Sequence, residues 1–103
     1  MVTDRSSQIM WVSHTFSRLT GYESCEMLGK TPVLLQGPLT STTTRALIRG
    51  RLARCEAVTV TLQNYRKDQT PYWCQITIDP LSDQRGECTH FMATEEECPD
   101  LSH

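Results

Sequence analysis

Apolar and polar residues alternate with a period of two along the second half of the chain. Val58, Val60 and Leu62 alternate with polar residues, and the same period recurs around Ile76 and Phe91. This period is typical of β-strands that have one buried face. Turn-forming sequences separate the three segments, at 67–70 and 83–86. The pattern therefore predicts three antiparallel strands joined by short turns.

The first half of the chain has the pattern of one short strand followed by helices. The apolar run 9–12 has the length of a strand. Single helical turns are predicted at 16–20, which Gly21 ends, and at 24–29, with Ser24 as a cap. The segment 42–54 predicts the one long helix. Its apolar stripe consists of Ala46, Leu47, Ile48 and Leu52.

This order of elements predicts a small α+β domain. A sheet of few strands leaves its apolar face in water unless other elements cover it, so we expect the helices to pack on that face. We place the domain at residues 3–95. The polar segment 96–103, which Pro99 interrupts, is interpreted as a tail that frays or continues into a further segment.

Composition and charge exclude several kinds of protein. The 103 residues suffice for one core. Ten basic and twelve acidic residues give a net charge of −2, which does not indicate a nucleic acid or an anionic membrane as partner. No apolar stretch has the length of a membrane span or a signal peptide, which predicts a soluble cytoplasmic protein.

The reactive residues do not form a pattern typical of a catalytic or metal site. The five cysteines are odd in number and lack C-x-x-C spacing, so we predict that they are reduced and structural. The three histidines are scattered, and the sequence has neither a phosphate-binding glycine loop nor a metal-ligand cluster. We therefore expect that the chain is not itself an enzyme.

Several short motifs together resemble the PAS domain family. Segment 16–22 (Phe-Ser-Arg-Leu-Thr-Gly-Tyr) resembles the F-x-x-L-T-G-Y start of that domain, and 91–93 resembles its last strand. Segments 35–38, 64–68 and 72–73 resemble the narrower light-oxygen-voltage (LOV) subgroup. The resemblance implies the PAS fold, an antiparallel sheet of about five strands with short helices and one longer helix over one face. The stretch before Ile9 is short, so the first strand is expected to be reduced.

In the LOV subgroup, flavin mononucleotide (FMN) lies between sheet and helices, and blue light joins a cysteine to its ring. The motif of that cysteine, G-x-N-C-R-F-L-Q, corresponds to residues 29–36. Pro32 stands at the cysteine position, and Val33 stands where an arginine would bind the phosphate. Because proline has no nucleophile, the resemblance implies a domain without cysteinyl–flavin photochemistry.

The resemblance also implies five candidate flavin contacts: Gln36, Arg49, Asn64, Cys74 and Glu95. The first three match the subgroup, whereas Cys74 replaces a second asparagine and Glu95 replaces a glutamine of the last strand. The period of two places Asn64, Cys74 and Glu95 on the buried sheet face. An unpaired polar group there costs about 1–3 kcal/mol, so a ligand, water or a polar neighbour should satisfy it.

Each candidate also has an ordinary structural interpretation. The pattern favours a solvated helix face for Arg49, an inert buried thiol for Cys74 and the start of the solvated acidic run 95–97 for Glu95. Asn64, which alternatively ends a strand before a turn, and Gln36 remain open between the two interpretations.

The other sheet face carries more apolar side chains than a solvated face needs. Its predicted interaction residues are Tyr65, Trp73, Gln75 and Met92. We predict that they contact an effector domain, a partner protein or a second copy of the chain.

Two functions follow. The first is a sensory module that acts through a ligand or a protein contact, with no tightly bound cofactor. The alternative is an FMN-binding domain that signals by flavin redox state. Changed contacts at 33 and 74 weaken FMN binding by about 10²–10⁴-fold, which favours the first.

Overall fold

Residues 1–99 are described in the computed structural model, and they form a five-stranded antiparallel sheet with helices on one face. The elements, in chain order, are β1 (Val2–Asp4), β2 (Ile9–Trp11), α1 (His14–Thr20), α2 (Ser24–Met27), a 3₁₀ helix (Pro32–Leu35), α3 (Thr42–Ala53), β3 (Val58–Tyr65), β4 (Pro71–Ser82) and β5 (Cys88–Glu97). The strand order in the sheet is β2-β1-β5-β4-β3. The predicted α+β class and PAS fold are confirmed.

The three strands predicted from the period of two are β3, β4 and β5. β4 pairs with both neighbours, so that Leu62 lies opposite Cys74 and Ile76 lies opposite Glu95. The predicted buried face carries the core, which includes Leu62, Cys74 and Phe91. The alternation of apolar and polar residues was sufficient to predict these strands and their buried face, because each strand is at least eight residues long and buries only one face.

The apolar pattern showed only one strand before the first helix, whereas the structure has two, the first of them short, as the resemblance to the PAS fold implied. β1 pairs with β5, with Thr3 opposite Phe91, and β2 pairs with β1. β1 is only three residues long, so it has no recognisable period, and its partner lies at the other end of the chain.

The sheet begins at Val2 and runs to Glu97, beyond the limits of 3 and 95 that were predicted for the domain. Of the predicted tail, residues 100–103 lie outside the described part of the chain.

The short helices begin and end close to the predicted positions. α1 starts after Ser13, whose Oγ accepts from the backbone N–H of Phe16 at 3.1 Å, and ends at Gly21, where a φ of +81° favours glycine. Ser24, predicted as the cap of α2, is instead its first residue. The Glu26 carboxylate accepts from the backbone N–H of Glu23 at 2.9 Å and so closes the start of that helix.

The predicted apolar stripe of α3 is wrong for two of its four residues. Ala46 and Leu47 are exposed, Leu47 by 46%, whereas Ile48 and Leu52 pack against the core. The reason is that α3 covers a cavity instead of a filled core, and the face that it turns to the cavity carries Arg45 and Arg49 beside Ile48 and Leu52. None of the described helices is long and apolar enough to cross a membrane.

The loop between the 3₁₀ helix and α3 is held against edge strand β3. Gly37 lies so close to Tyr65 that an added Cβ would be 2.3 Å from the ring. The Tyr65 hydroxyl accepts from the Leu39 backbone N–H at 3.0 Å, and the Thr40 hydroxyl donates to the Gln63 carbonyl at 2.6 Å. These contacts fix the direction of the chain directly after Gln36.

Candidate functional site

A cavity of about 410 Å³ lies between the inner sheet face, α3 and the 3₁₀ helix. Its volume falls in the range of about 300–1,000 Å³ that is usual for small-molecule sites. The apolar part of its wall includes Leu35, Ile48, Leu52, Leu62, Ile76, Ile78, Phe91 and Ala93. The cavity therefore suits a ligand with a flat or compact apolar body.

Within residues 1–99, two buried oxygen atoms in the wall have no hydrogen-bond partner. They are Gln36 Oε1 and Asn64 Oδ1, and the Asn64 residue is only 3% exposed. An unpaired buried acceptor costs about 1–3 kcal/mol, so two of them need a physical reason. Because both atoms are acceptors, a ligand that satisfies them presents N–H or O–H groups.

Glu95 points into the same cavity and bonds to a core tyrosine. The buried Tyr72 hydroxyl donates to Glu95 Oε1 at 2.6 Å. Burial raises the pKa of Glu95, although its contacts with Tyr72, Cys74 and Asn64 act in the opposite direction. The interpretation of residue 95 as the start of a solvated run is therefore wrong for Glu95 itself, whereas Glu96 is exposed.

A second group of contacts connects Tyr72 to the end of β5. The Arg66 guanidinium lies 4.3 Å from the Tyr72 ring centroid, and its Nη2 is 2.6 Å from Glu97 Oε1. The Arg66 Nε also donates to the Leu19 carbonyl at 3.1 Å. The cavity wall is thus joined, through Glu95 and Tyr72, to the last residue of the sheet and to α1.

Three arginines line one side of the cavity: Arg5, Arg45 and Arg49. Arg45 and Arg49 lie four residues apart on α3 and so share one helix face, a spacing that was visible in the sequence. Arg5 follows β1 and lies 6.0 Å from the Phe91 ring centroid, a position that no local pattern indicates. Three arginines in the wall of one cavity favour an anionic ligand group, such as a phosphate.

Cys74 is buried close to the cavity but is not among its lining residues. Its thiol donates to the Leu62 carbonyl at 3.6 Å, and burial raises its pKa, so it stays protonated. All five cysteines lie within residues 1–99, and none of them lines the cavity. Pro32 and Val33 do line it, and Val33 is 56% exposed.

Four of the five predicted site residues therefore meet at one cavity. Gln36, Arg49, Asn64 and Glu95 line it, and Cys74 does not. The residues that the sequence analysis missed are Arg5 and Arg45, which line the cavity, and Tyr72, which bonds to Glu95.

The opposite sheet face, called the outer surface below, has an exposed apolar row at one end. Trp11 and Met92 flank Val2 across β2, β1 and β5, and they are 54% and 41% exposed. Trp73 is half-buried and Gln75 is exposed on the same face. Tyr65, also predicted for this surface, packs against Gly37 within the chain, so we leave it out of the outer surface.

Comparisons with known proteins agree with this geometry. A family model described as PAS domain matches residues 1–97. A blue-light-activated histidine kinase of Brucella anthropi is 33% identical over 87 residues, which are 84% of this chain and 18% of the kinase. Phototropin-2 of Oryza sativa subsp. japonica is 34% identical over 86% of this chain and 10% of its own length. The chain thus spans less than a fifth of these curated relatives.

Among solved structures, one concerns a flavin analogue and the mechanism of a light-oxygen-voltage domain. It superposes with a TM-score of 0.89 at 35% identity, and the match covers 94% of this chain and 74% of that one.

Proposed function

Because the chain belongs to the PAS domain family, we propose that it is a LOV-like sensory domain that takes up FMN reversibly in its cavity and forms no cysteinyl adduct. One observation carries this proposal. The unpaired acceptors Gln36 Oε1 and Asn64 Oδ1 face a cavity that arginines line on one side. FMN combines a ring edge that carries an N–H donor, a flat apolar body and a phosphate.

Each part of FMN has a group of this chain to meet it. Asn64 would accept from the N–H of the polar ring edge, Gln36 would accept from a hydroxyl of the FMN side chain, and the apolar wall would exclude water from the ring. Arg45 and Arg49, with Arg5, would bind the phosphate. When bound, the flavin supplies blue-light absorption and reversible reduction. Hydrogen-bond contacts from the last strand would come from Glu95, which Tyr72 holds in place.

The absence of an adduct is supported by the residues at the cavity wall. Pro32 lines the cavity where the motif of the LOV subgroup has its cysteine, and proline has no nucleophile. A signal would then depend on the oxidation state of the flavin. The unpaired acceptors favour this alternative over the cofactor-free module that the sequence pattern favoured.

FMN binding is expected to be reversible instead of tight, because two contacts of the LOV subgroup are changed in this chain. Val33 offers no phosphate contact and Cys74 lies outside the lining. Two losses of about 1–3 kcal/mol each weaken binding by about 10²–10⁴-fold relative to a domain that has both contacts. The purified chain is therefore expected to carry little FMN until FMN is added.

Titration with FMN and riboflavin tests the site, because riboflavin lacks only the phosphate. We expect FMN to bind more tightly than riboflavin, by roughly 10-fold, when binding is followed by the quenching of flavin fluorescence. The reason is that charge-assisted hydrogen bonds to the phosphate contribute about 1.5–3 kcal/mol. Arg49→Gln should reduce this preference and leave riboflavin binding unchanged. Arg85→Gln, on the exposed turn before β5, is the matched control and should change neither affinity.

Two results of this experiment would contradict the proposal. Equal affinity for the two flavins would mean that the arginines do not bind the phosphate. Reversible bleaching of the bound FMN by blue light would mean that a thiol reaches the ring.

We further propose that the outer surface transmits the state of the cavity to a partner. The relatives are several times longer than this chain, so an effector domain or a second copy of the domain is the expected partner. The exposed Trp11 and Met92 support this proposal, since clustered exposed apolar residues mark interaction sites.

A cytoplasmic location is proposed for the same module, in agreement with its free cysteines.

In the isolated chain, self-association through the outer surface is the expected result. Trp11→Gln and Met92→Gln should each shift the monomer–dimer equilibrium towards monomer in sedimentation, because each removes exposed apolar area from the contact. Leu47→Gln changes a similarly exposed apolar residue on α3 and should have no effect. Dimers that persist in both outer-surface variants would exclude this surface as the contact.

A further inference from the structure

Two cysteines and an arginine form a cluster at the edge of the cavity. Cys55 lies in the turn after α3, with a φ of +55°, and its thiol accepts a hydrogen bond from the Arg5 guanidinium. Asp4 pairs with His90 across β1 and β5, so Arg5 and Cys88 lie at the same end of the sheet. Both cysteines are partly buried and pack against the core.

A bulge in β5 turns Cys88 towards this cluster. Leu81 lies opposite His90 and Ser82 lies opposite Cys88, so β5 has one extra residue, Thr89, at this point. A bulge of this kind reverses the alternation of side chains and redirects the residue beyond it. Cys88 therefore leaves the outer side and points to the inner side of the sheet, where Cys55 also packs against the core. Bulges are often found next to functional sites, where they redirect a side chain.

We propose that Cys55 and Cys88 are a redox pair that closes to a disulfide when hydrogen peroxide reaches it. In the first step, one thiolate attacks a peroxide oxygen, an S–O bond forms, the O–O bond breaks, and the leaving hydroxide takes up a proton to give water. In the second step, the other sulfur attacks the oxidised one, the S–S bond forms, the S–O bond breaks, and a second water leaves. Two thiols and one peroxide thus give one disulfide and two waters.

Arg5 is the positioning residue of this pair. The reactive form of a cysteine is its thiolate, which a neighbouring guanidinium stabilises. The contact with Cys88 and burial raise the pKa of Cys55, and Arg5 acts in the opposite direction. Removal of the arginine charge should therefore slow the first step.

The disulfide would join two walls of the cavity. Cys55 follows α3, which carries Arg45 and Arg49, and Cys88 begins β5, which carries Glu95. Arg5 contacts the Cys55 thiol and also lines the cavity, so oxidation of Cys55 changes the surroundings of a cavity side chain directly. The pair would thus connect the redox state of the surroundings to the shape of the ligand site.

The test is oxidation of the fully reduced chain with hydrogen peroxide, followed by intact mass and by mapping of non-reduced peptides. We expect a loss of two hydrogens, about 2 Da, and one linked peptide that contains Cys55 and Cys88. Cys55→Ser and Cys88→Ser should each abolish that linkage, and Cys25→Ser, in exposed α2, should retain it. Arg5→Gln should slow the reaction by roughly 10-fold, and Arg5→Lys should restore much of the rate.

Two results would overturn the inference. One is a linkage that maps to another pair of cysteines in the wild-type chain. The other is complete oxidation of the thiols to sulfinic acids without any linked peptide.

Discussion

A Gln36→Met variant is expected to bind FMN roughly 10-fold more weakly than the wild-type chain, and yet to unfold with a higher free energy when no ligand is present. The two effects have opposite signs because Gln36 Oε1 has different surroundings in the two states. Without ligand the atom is buried and has no partner. With FMN bound, it would accept from a hydroxyl of the FMN side chain.

The size of each effect follows from the energies of buried polar groups. An unpaired buried acceptor costs about 1–3 kcal/mol, and methionine removes it with almost no change in side-chain volume. The lost hydrogen bond to the ligand contributes about 0.5–1.5 kcal/mol, which corresponds to roughly 10-fold in affinity at the upper end. Urea unfolding of the ligand-free protein and fluorescence titration with FMN measure the two quantities separately.

The matched control is Gln75→Met, since Gln75 is exposed on the outer surface of β4. This substitution should change neither the affinity for FMN nor the free energy of unfolding by a measurable amount. A Gln36→Met variant that loses stability, or that binds FMN as the wild type does, would show that the side chain has a purely structural role.

The parts of this site that could be predicted from sequence depend on local patterns. Alternation placed Asn64 and Glu95 on the buried face because β3 and β5 are long strands with one solvated side. The same reasoning placed Cys74 there, and it is indeed buried. Alternation specifies the face of a sheet but not the distance of a side chain from an empty space, and so it could not show that Cys74 stays outside the cavity lining.

The parts that could not be predicted depend on contacts between distant segments. Arg5 and Trp11 reach their positions through β1 and β2, which are three residues long and too short to show a period. The contact between Tyr72 and Glu95 joins two strands across the sheet. The sequence indicated that a buried Glu95 needs a partner but not which residue provides it.

The second large effect concerns Glu95, whose replacement by glutamine should stabilise the ligand-free chain at neutral pH. Burial raises the pKa of this carboxyl above its ordinary value of 4.5. Below about pH 4.5 the group carries its proton in both the folded and the unfolded chain, so it costs nothing there. As the pH rises, the unfolded chain releases the proton freely, whereas the folded chain must either keep it or bury a charge. The wild-type chain therefore loses stability through the window from 4.5 up to the folded-state pKa.

Glutamine has no proton to release, and its amide oxygen can still accept from the Tyr72 hydroxyl. The difference in unfolding free energy between Glu95→Gln and the wild type should thus grow with pH, by at most about 1.4 kcal/mol per pH unit, and become constant above the folded-state pKa. Urea unfolding at several values between about pH 4 and pH 8 measures it. The neighbouring exposed Glu96 provides the control, since Glu96→Gln should show no such growth. Equal pH profiles for the two variants would contradict this prediction. They would mean that water solvates the Glu95 carboxylate in the folded chain, in spite of its hydrogen bond from Tyr72.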